Sequence, residues 1–298
     1  MSILIYHRVL PSHDTLRPNE PTAEEFSWQM EMLNRYFVPL PLHKALELLQ
    51  NEELPQRAVC VTFDDGYADN ESVALPILKK WAVPATVFVS TAFLNGGRMW
   101  NDTVIEAIRV SSGEFDLRVL GLGIIKVDSD HMRLEAINSI LTKLKYMPQK
   151  QRADAVNYIE SLVDKNSLQK DLMLTNQQLI NLKESGVEIG AHTVDHPILM
   201  KLEHSESRRQ IENGKLALED IIGTKIRYFA YPNGILDKDY NVEHTKLIND
   251  IGFEAAVTTN KGVTTKESDI YQLPRFTPWD KIPIKFMIRM FLNQFDKN

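Results

Sequence analysis

Seven short apolar runs are spaced along the chain, and each has the length and composition of a buried strand. They cover residues 3–6, 58–63, 84–90, 187–191, 226–231, 253–258 and 270–273. Segments of helical periodicity separate most of these runs. Because strand, helix and strand with short connections form parallel βαβ units, the pattern predicts an α/β barrel.

The helical segments carry start and stop signals. A capping box at Thr22 and Glu25 predicts a helix that runs to about Tyr36. The stretch 175–178 starts another helix, and Gly186 ends it. Periodicity predicts four further helices, at residues 41–50, 71–81, 203–222 and 239–251.

The alternation of strand and helix is interrupted at about residues 103–174. Residues 115–127 alternate enough for a small β-hairpin, and residues 131–165 give helical stretches without a cluster of metal-ligating side chains. We interpret this segment as a mostly helical insertion, acting as a lid or as a partner surface, in a single barrel domain spanning residues 1–298.

Composition narrows the classes of function. The 298 residues are 43% hydrophobic and 25% charged, which is ordinary for a globular protein. A net charge of -6 gives no basic surface for nucleic acid. The single cysteine, Cys60, excludes an internal disulfide. Because residues 1–7 are too short an apolar run for a secretory signal and no transmembrane segment is evident, we expect a cytoplasmic enzyme.

Two adjacent carboxylates follow the second apolar run. Asp64 and Asp65 precede Gly66, so both are expected at the C-terminal end of a strand. In α/β sheets and barrels, ligands bind at that edge. The alternative is an Asp-Gly turn in which Asp64 caps the next helix.

Two histidines follow the fourth apolar run in the same way. His192 and His196 are four residues apart, so one turn or a compact loop can place both imidazoles on one side. Pro197 favours a single turn over a long helix. Two imidazoles and one carboxylate form a three-ligand set suited to zinc, with a position left for water or substrate. Taken singly, either histidine is more commonly a packed or surface residue.

Together these two stretches resemble a known family. Thr-Phe-Asp-Asp-Gly-Tyr at 62–67 and His-Thr-Val-Asp-His at 192–196 are similar to the first two signature motifs of the polysaccharide deacetylase family, the NodB-homology or carbohydrate esterase family 4 domain. The resemblance covers most of the chain apart from the insertion. It implies a distorted seven-stranded (β/α) barrel with Asp64 as catalytic base. It also implies that Asp65, His192 and His196 bind a divalent metal, with Zn2+ preferred over Co2+ or Ni2+.

The family's third motif is altered at residues 229–234. Ala230 stands where the family has an arginine that orients and acidifies the base. The resemblance gives the backbone N–H of Asn233 a role in binding the oxyanion and places Tyr231 at the substrate. Arg275 follows the last predicted strand and is the candidate replacement for the missing arginine, with a structural salt bridge as the alternative.

The family's last motif, which supplies a histidine that protonates the leaving amine, is absent near residue 273. His7 is the first candidate for this general acid, since Tyr-His at this place is common in one branch of the family. A metal-bound or shuttling Asp64 is the second candidate, and a loop-capping role is the structural alternative for His7. Trp100 is predicted to stack on a sugar ring, with core packing as its alternative.

The C-terminal segment from Pro283 to Phe295 is predicted to be helical. One face of this helix would carry Ile284, Met287, Ile288 and Phe291. We expect the helix to pack on the barrel. Contact with a partner or with a membrane is the alternative, because anionic headgroups would find cations at Lys281, Lys285 and Arg289.

The sequence therefore predicts a metal-dependent hydrolase that removes N-acetyl groups from an amino-sugar saccharide, either a polysaccharide or a lipid-linked precursor. Two alternative functions remain. One is a metal-dependent amidohydrolase acting on a small or cyclic C–N substrate. The other is a carbohydrate-binding barrel without catalysis, which the missing arginine and histidine would suit.

Overall fold

The structure is a computed structural model that describes residues 1–293. The chain divides into two units. The first comprises Met1–Ser12, Asn19–Asn95 and Met173–Asn298, and the second comprises His13–Pro18 and Gly96–Leu172. The second unit includes most of the segment interpreted as an insertion and also takes in part of the loop before the first helix.

A parallel sheet forms the centre of the first unit. Its seven strands are β1 (Ser2–Tyr6), β2 (Val38–Pro39), β3 (Ala58–Phe63), β4 (Ala85–Val89), β7 (Glu188–Ala191), β8 (Tyr228–Ala230) and β9 (Ala255–Val257). The spatial order is β1-β3-β4-β7-β8-β9, and β2 pairs with β3. Every pairing in this sheet is parallel, so the predicted α/β barrel class is confirmed.

The predicted strand at 270–273 is not a regular strand. Instead, Leu273 forms an isolated parallel bridge with Val257, and Phe276 forms another with Leu4. The Phe276 N–H donates to the Ile3 carbonyl at 2.8 Å. One short segment therefore connects the two edge strands, while the unpredicted strand β2 has only two residues.

Helices flank the strands of the first unit. They are α1 (Ala23–Tyr36), α2 (Leu42–Gln50), α3 (Leu75–Lys80), α7 (Asn176–Glu184), α8 (His204–Ile222), α9 (Val242–Asp250) and α10 (Pro283–Asn293). The predicted capping box at Thr22 forms, and a second capping box at Thr175 begins the helix predicted there. The predicted helix at 71–81 begins as a π-helical turn, Asn70–Ala74, before it continues as α3.

Helix α10 packs on the barrel, as expected, mainly through the side that carries Phe286 and Met290. Its buried side chains are Phe286, Met290 and Asn293, whereas Ile284 and Ile288 are exposed. The helix carries two apolar stripes, and only one of them reaches the core. The predicted extension to Phe295 lies outside the described residues. Within residues 1–293, no helix is both long enough and apolar enough to span a bilayer.

The second unit has a hydrophobic core of its own. It consists of α4 (Trp100–Val110), β5 (Glu114–Asp116), β6 (Ile124–Lys126), α5 (Asp130–Lys145) and α6 (Gln149–Ser161). Strands β5 and β6 pair antiparallel, which confirms the predicted hairpin. A buried guanidinium, Arg17, lies 2.9 Å from both Asp102 and Glu106 and links the 13–18 segment to α4.

Candidate active site

Asp64 and Asp65 directly follow β3 and lie at the C-terminal edge of the sheet. The Asp64 N–H donates to the Tyr6 carbonyl at the end of β1, at 2.9 Å. Asp65 and Gly66 both have positive φ, of 75° and 86°, so the chain turns sharply through the left-handed region. Both carboxylates are buried. The alternative in which Asp64 caps the next helix is wrong, because that helical turn begins at Asn70.

The two histidines lie on the loop that follows β7. His192 is anchored twice: its N–H donates to the Val89 carbonyl at 3.0 Å, and its Nδ1 lies 2.7 Å from the Ala230 carbonyl. Because a carbonyl only accepts, Nδ1 carries a proton, and in the neutral imidazole Nε2 then has a free lone pair. Residue 230 therefore contributes to the site through its backbone, although it lacks the family's arginine side chain.

The three predicted metal ligands lie close together. The Nε2 atoms of His192 and His196 each lie 3.4 Å from Asp65 Oδ1. Ligand atoms of the three residues all lie within 4.8 Å of one another. Asp65 Oδ1 is buried and accepts no hydrogen bond from the described residues. A buried carboxylate oxygen without a donor, facing two imidazole nitrogens, is a donor set that fits zinc or a similar divalent ion.

Helix α8 supports the histidine loop from behind. The Gln210 side-chain oxygen accepts from the N–H groups of Val194 and Asp195, at 3.2 and 2.9 Å. Gly214 lies so close to the loop that an added Cβ would be 2.9 Å from the backbone of Thr193. Sequence reasoning missed both supports, since each depends on a helix packing against a loop that is distant in the chain.

Arg275 forms a bidentate ion pair with Asp64. Its Nη1 and Nη2 lie 2.7 and 2.6 Å from the two carboxylate oxygens. Nε donates to the Thr258 carbonyl at 2.8 Å, so the guanidinium is fixed on a third side. Arg275 is 1% exposed and Asp64 is 2% exposed. The guanidinium on Asp64 therefore comes from the segment that bridges the edge strands.

These contacts set the protonation states of the site. Burial opposes ionisation of Asp64, but Arg275 and His192 outweigh it and lower the pKa of this carboxyl. Burial also opposes ionisation of Asp65, and the two histidines lower its pKa. Burial lowers the pKa of His196 to about 4 despite the nearby Asp65. At pH 7 the site therefore presents two carboxylates and a neutral His196.

Buried polar contacts fix the chain at His7. The Asn70 side-chain nitrogen donates to the His7 carbonyl at 2.9 Å, and Asp69 pairs with Arg8 at 2.7 Å. A protonated His7 is near enough to lower the pKa of Asp64 and of its neighbour. His7 follows β1, and β1 pairs with β3, so the candidate general acid and the candidate base lie at the same edge of the sheet.

The turn after β8 carries two residues with predicted roles, Asn233 and Tyr231. Asn233 has φ of 62°, and its carbonyl accepts from the Thr259 hydroxyl at 2.6 Å, which fixes the turn. Its N–H donates no hydrogen bond to residues 1–293, and its role at the oxyanion stays a prediction. Tyr231, however, is fully buried, stacks on Tyr240 and donates to the Tyr271 carbonyl at 3.0 Å. The predicted contact between its side chain and the substrate is wrong.

Trp100 lies in the second unit as the first residue of α4. Its ring packs against that unit's core and lies under the Arg152 guanidinium, 5.1 Å from the ring centroid. The indole remains partly exposed. Its predicted role in binding a sugar ring stays a prediction.

Comparisons with known proteins agree with this geometry. The family model described as polysaccharide deacetylase matches residues 51–110 and 142–256, which include both carboxylates and both histidines. The chain belongs to the polysaccharide deacetylase family. It is accordingly a hydrolase of the deacetylase class, as the motifs predicted.

Individual relatives show the same family at low identity. YxkH of Bacillus subtilis (strain 168), provisionally named a polysaccharide deacetylase, is 22% identical over 92% of this chain and 70% of its own length. Among solved structures, the Streptococcus pyogenes deacetylase PplD, in complex with acetate, is 20% identical with a TM-score of 0.65 and covers 97% of both chains. IcaB from Ammonifex degensii is 20% identical with a TM-score of 0.60, over 98% of this chain and 96% of that one. These structures share the deacetylase barrel fold, which confirms the predicted NodB-type class.

Proposed function

We propose that this deacetylase is metal-dependent and removes the N-acetyl group from an amino sugar within a saccharide. The observation that carries the proposal is the three-residue donor set of Asp65, His192 and His196 beside Asp64, a carboxylate held ionised by a buried arginine. A carboxylate that stays charged in a buried site beside a metal site suits a base that accepts a proton from water.

Each residue has a separate task in this reaction. Asp65, His192 and His196 would hold a divalent ion, preferably Zn2+. When bound, that ion supplies Lewis-acid polarisation of the acetamide carbonyl and positions the attacking water. Asp64 accepts the proton from that water, and Arg275 keeps its two oxygens in a fixed orientation. The free N–H of Asn233 donates to the oxyanion that develops on the carbonyl oxygen.

Departure of the amine requires a proton. His7 is the proposed donor, because it lies at the same sheet edge as Asp64 and because Asn70 fixes its backbone. A protonated imidazole can deliver the proton to the nitrogen as the C–N bond breaks, which yields acetate and a free amino group. The alternative donor is Asp64 itself, carrying back the proton taken from water.

The test is acetate release from N-acetylglucosamine oligomers by the wild-type protein and by Asp64→Asn. The variant is expected to bind metal normally but to lose about a hundredfold or more in rate. Asp102→Asn is a matched control, because it removes another buried, arginine-paired carboxylate but in the second unit. Full activity in Asp64→Asn would refute the assignment of the base. Turnover of cyclic amides without acetate release from the oligomers would show that the substrate is a cyclic amide and not an N-acetylated saccharide.

A further inference from the structure

Large apolar side chains are exposed together at the C-terminal end of the described chain. Six of the seventeen exposed large hydrophobic residues lie within residues 279–292, at 48% to 68% exposure. They are Trp279, Ile282, Ile284, Ile288, Phe291 and Leu292. Single exposed apolar residues are ordinary, whereas a contiguous group marks an interaction surface. We call this group the α10 patch.

The exposed and buried sides of α10 cannot be exchanged by rotating the helix. Helix α10 already buries its opposite side, where the Phe286 ring meets Trp28 edge-on at 5.6 Å between ring centroids. At its far end, the Asn293 side chain donates to the Ser2 hydroxyl at 3.1 Å. Because Ile284 and Ile288 are one turn apart on the outer side, rotating them inward would break these contacts.

Two lysines lie beside the patch, and one of them, Lys281, lies 3.8 Å from Glu25 of α1. Lys281 and Lys285 are exposed, and residues 281–293 contain no acidic residue. The acid just before them, Asp280, is buried and paired with Arg289. The patch thus combines an apolar surface with two lysines, of which one is paired with Glu25, on a protein whose net charge is -6.

We propose that the α10 patch docks on the surface of a membrane that contains anionic lipids. Ile284, Ile288 and Phe291 would enter the boundary between headgroups and acyl chains, with Trp279 at the interfacial level. Lys281 and Lys285 would remain at the anionic headgroups. A second copy of the chain fits less well, because a two-fold interface through this patch would bring the lysines of both copies together. The proposal does not depend on the proposed deacetylation.

The experiment is co-sedimentation of the full chain with vesicles of phosphatidylcholine alone or of equal parts phosphatidylcholine and phosphatidylglycerol. Binding is expected to the anionic vesicles and to weaken as salt is added. Ile284→Gln with Ile288→Gln should lower affinity roughly tenfold or more, since both side chains lose their apolar contact. Lys281→Gln with Lys285→Gln should lower it by about fivefold for each lysine.

Leu216→Gln is the matched control, since Leu216 is 55% exposed on α8, outside the patch. It should bind vesicles as the wild type does. A wild-type Tm in thermal unfolding would show that the patch variants are folded. Absence of binding to anionic vesicles, or equal binding by Ile284→Gln with Ile288→Gln, would overturn the proposal. A concentration-dependent dimer in sedimentation velocity that this double variant abolishes would assign the patch to a second copy instead.

Discussion

Replacing Arg275 by glutamine tests whether the ion pair with Asp64 controls both the stability and the acidity of the base. The pair is bidentate, with contacts of 2.6 and 2.7 Å, and both side chains are almost completely buried. Removing one partner of such a pair leaves a buried charge uncompensated, which costs about 3 to 5 kcal/mol. At about 2 °C per kcal/mol for a chain of this size, Tm should fall by roughly 6 to 10 °C.

The pH dependence of this loss has a definite sign. In the wild type the pKa of Asp64 is lowered, so the ion pair stabilises the fold above the unfolded-state pKa and loses that effect as pH falls through the folded-state value. In Arg275→Gln, burial is no longer opposed by the guanidinium, so the pKa of Asp64 rises. The difference in unfolding free energy should therefore be largest near pH 7 and should narrow as pH falls and the carboxyl becomes neutral.

The assays are thermal unfolding at several pH values and the pH profile of kcat/KM for acetate release. The acid limb of that profile should move to higher pH in Arg275→Gln. Arg17→Gln is the matched control, because Arg17 also forms buried ion pairs but in the second unit. It should lower Tm and leave the acid limb in place. A variant at position 275 with wild-type Tm and an unmoved acid limb would refute the reasoning.

Three further predictions concern the residues around the base. Asp65→Ala should abolish stoichiometric metal in elemental analysis of the purified protein, and normal metal content would remove Asp65 from the ligand set. Gly214→Ala should destabilise by about 1 to 3 kcal/mol in chemical denaturation and weaken metal binding, because the new Cβ meets the backbone of Thr193. Asn70→Ala should reduce kcat by about tenfold or more with little change in KM, because the His7 carbonyl loses its donor. The same variant should alter the basic limb of the pH profile of kcat. An unmoved pH profile would count against the role of His7.

A control variant distinguishes the close contact of Gly214 with the histidine loop from the effect of helix propensity. Alanine in place of glycine within a helix is ordinarily stabilising by about 1 kcal/mol, so a loss of stability at Gly214 reverses the usual sign. Asn213→Ala, at an exposed position on the same helix, should be neutral or stabilising and should leave metal binding unchanged. A stabilised Gly214→Ala with normal metal affinity would show that the close approach to the loop is not needed.

The sequence was sufficient for the parts of the site that local pattern determines. Asp64, Asp65, His192 and His196 each follow an apolar run, and the parallel sheet brings the ends of those runs to one edge. Arg275 could be proposed because it leaves the last predicted strand. Its bidentate geometry could not, because it depends on how the segment around Phe276 bridges the sheet.

Periodicity explains why the prediction for Tyr231 failed and why the packing face of α10 could not be predicted. Tyr231 lies two residues after Phe229, and extended residues two apart face the same side, so both rings enter the core. In α10 the apolar residues form two stripes, and a helical pattern alone does not say which stripe meets the protein. Packing against Trp28 decides it, and that contact spans more than two hundred residues of chain.

Arg275 lies far after the other residues of the candidate site in the chain, so it is synthesised last among them. The proposed metal ligands lie on the loops after β3 and β7, whereas Arg275, the partner of the proposed base, lies in the stretch at 273–276 that joins the last strand to the first. A nascent chain that has emerged only as far as β9 would already contain every residue of the donor set. The donors of the proposed metal site are thus synthesised before the guanidinium that holds the proposed base.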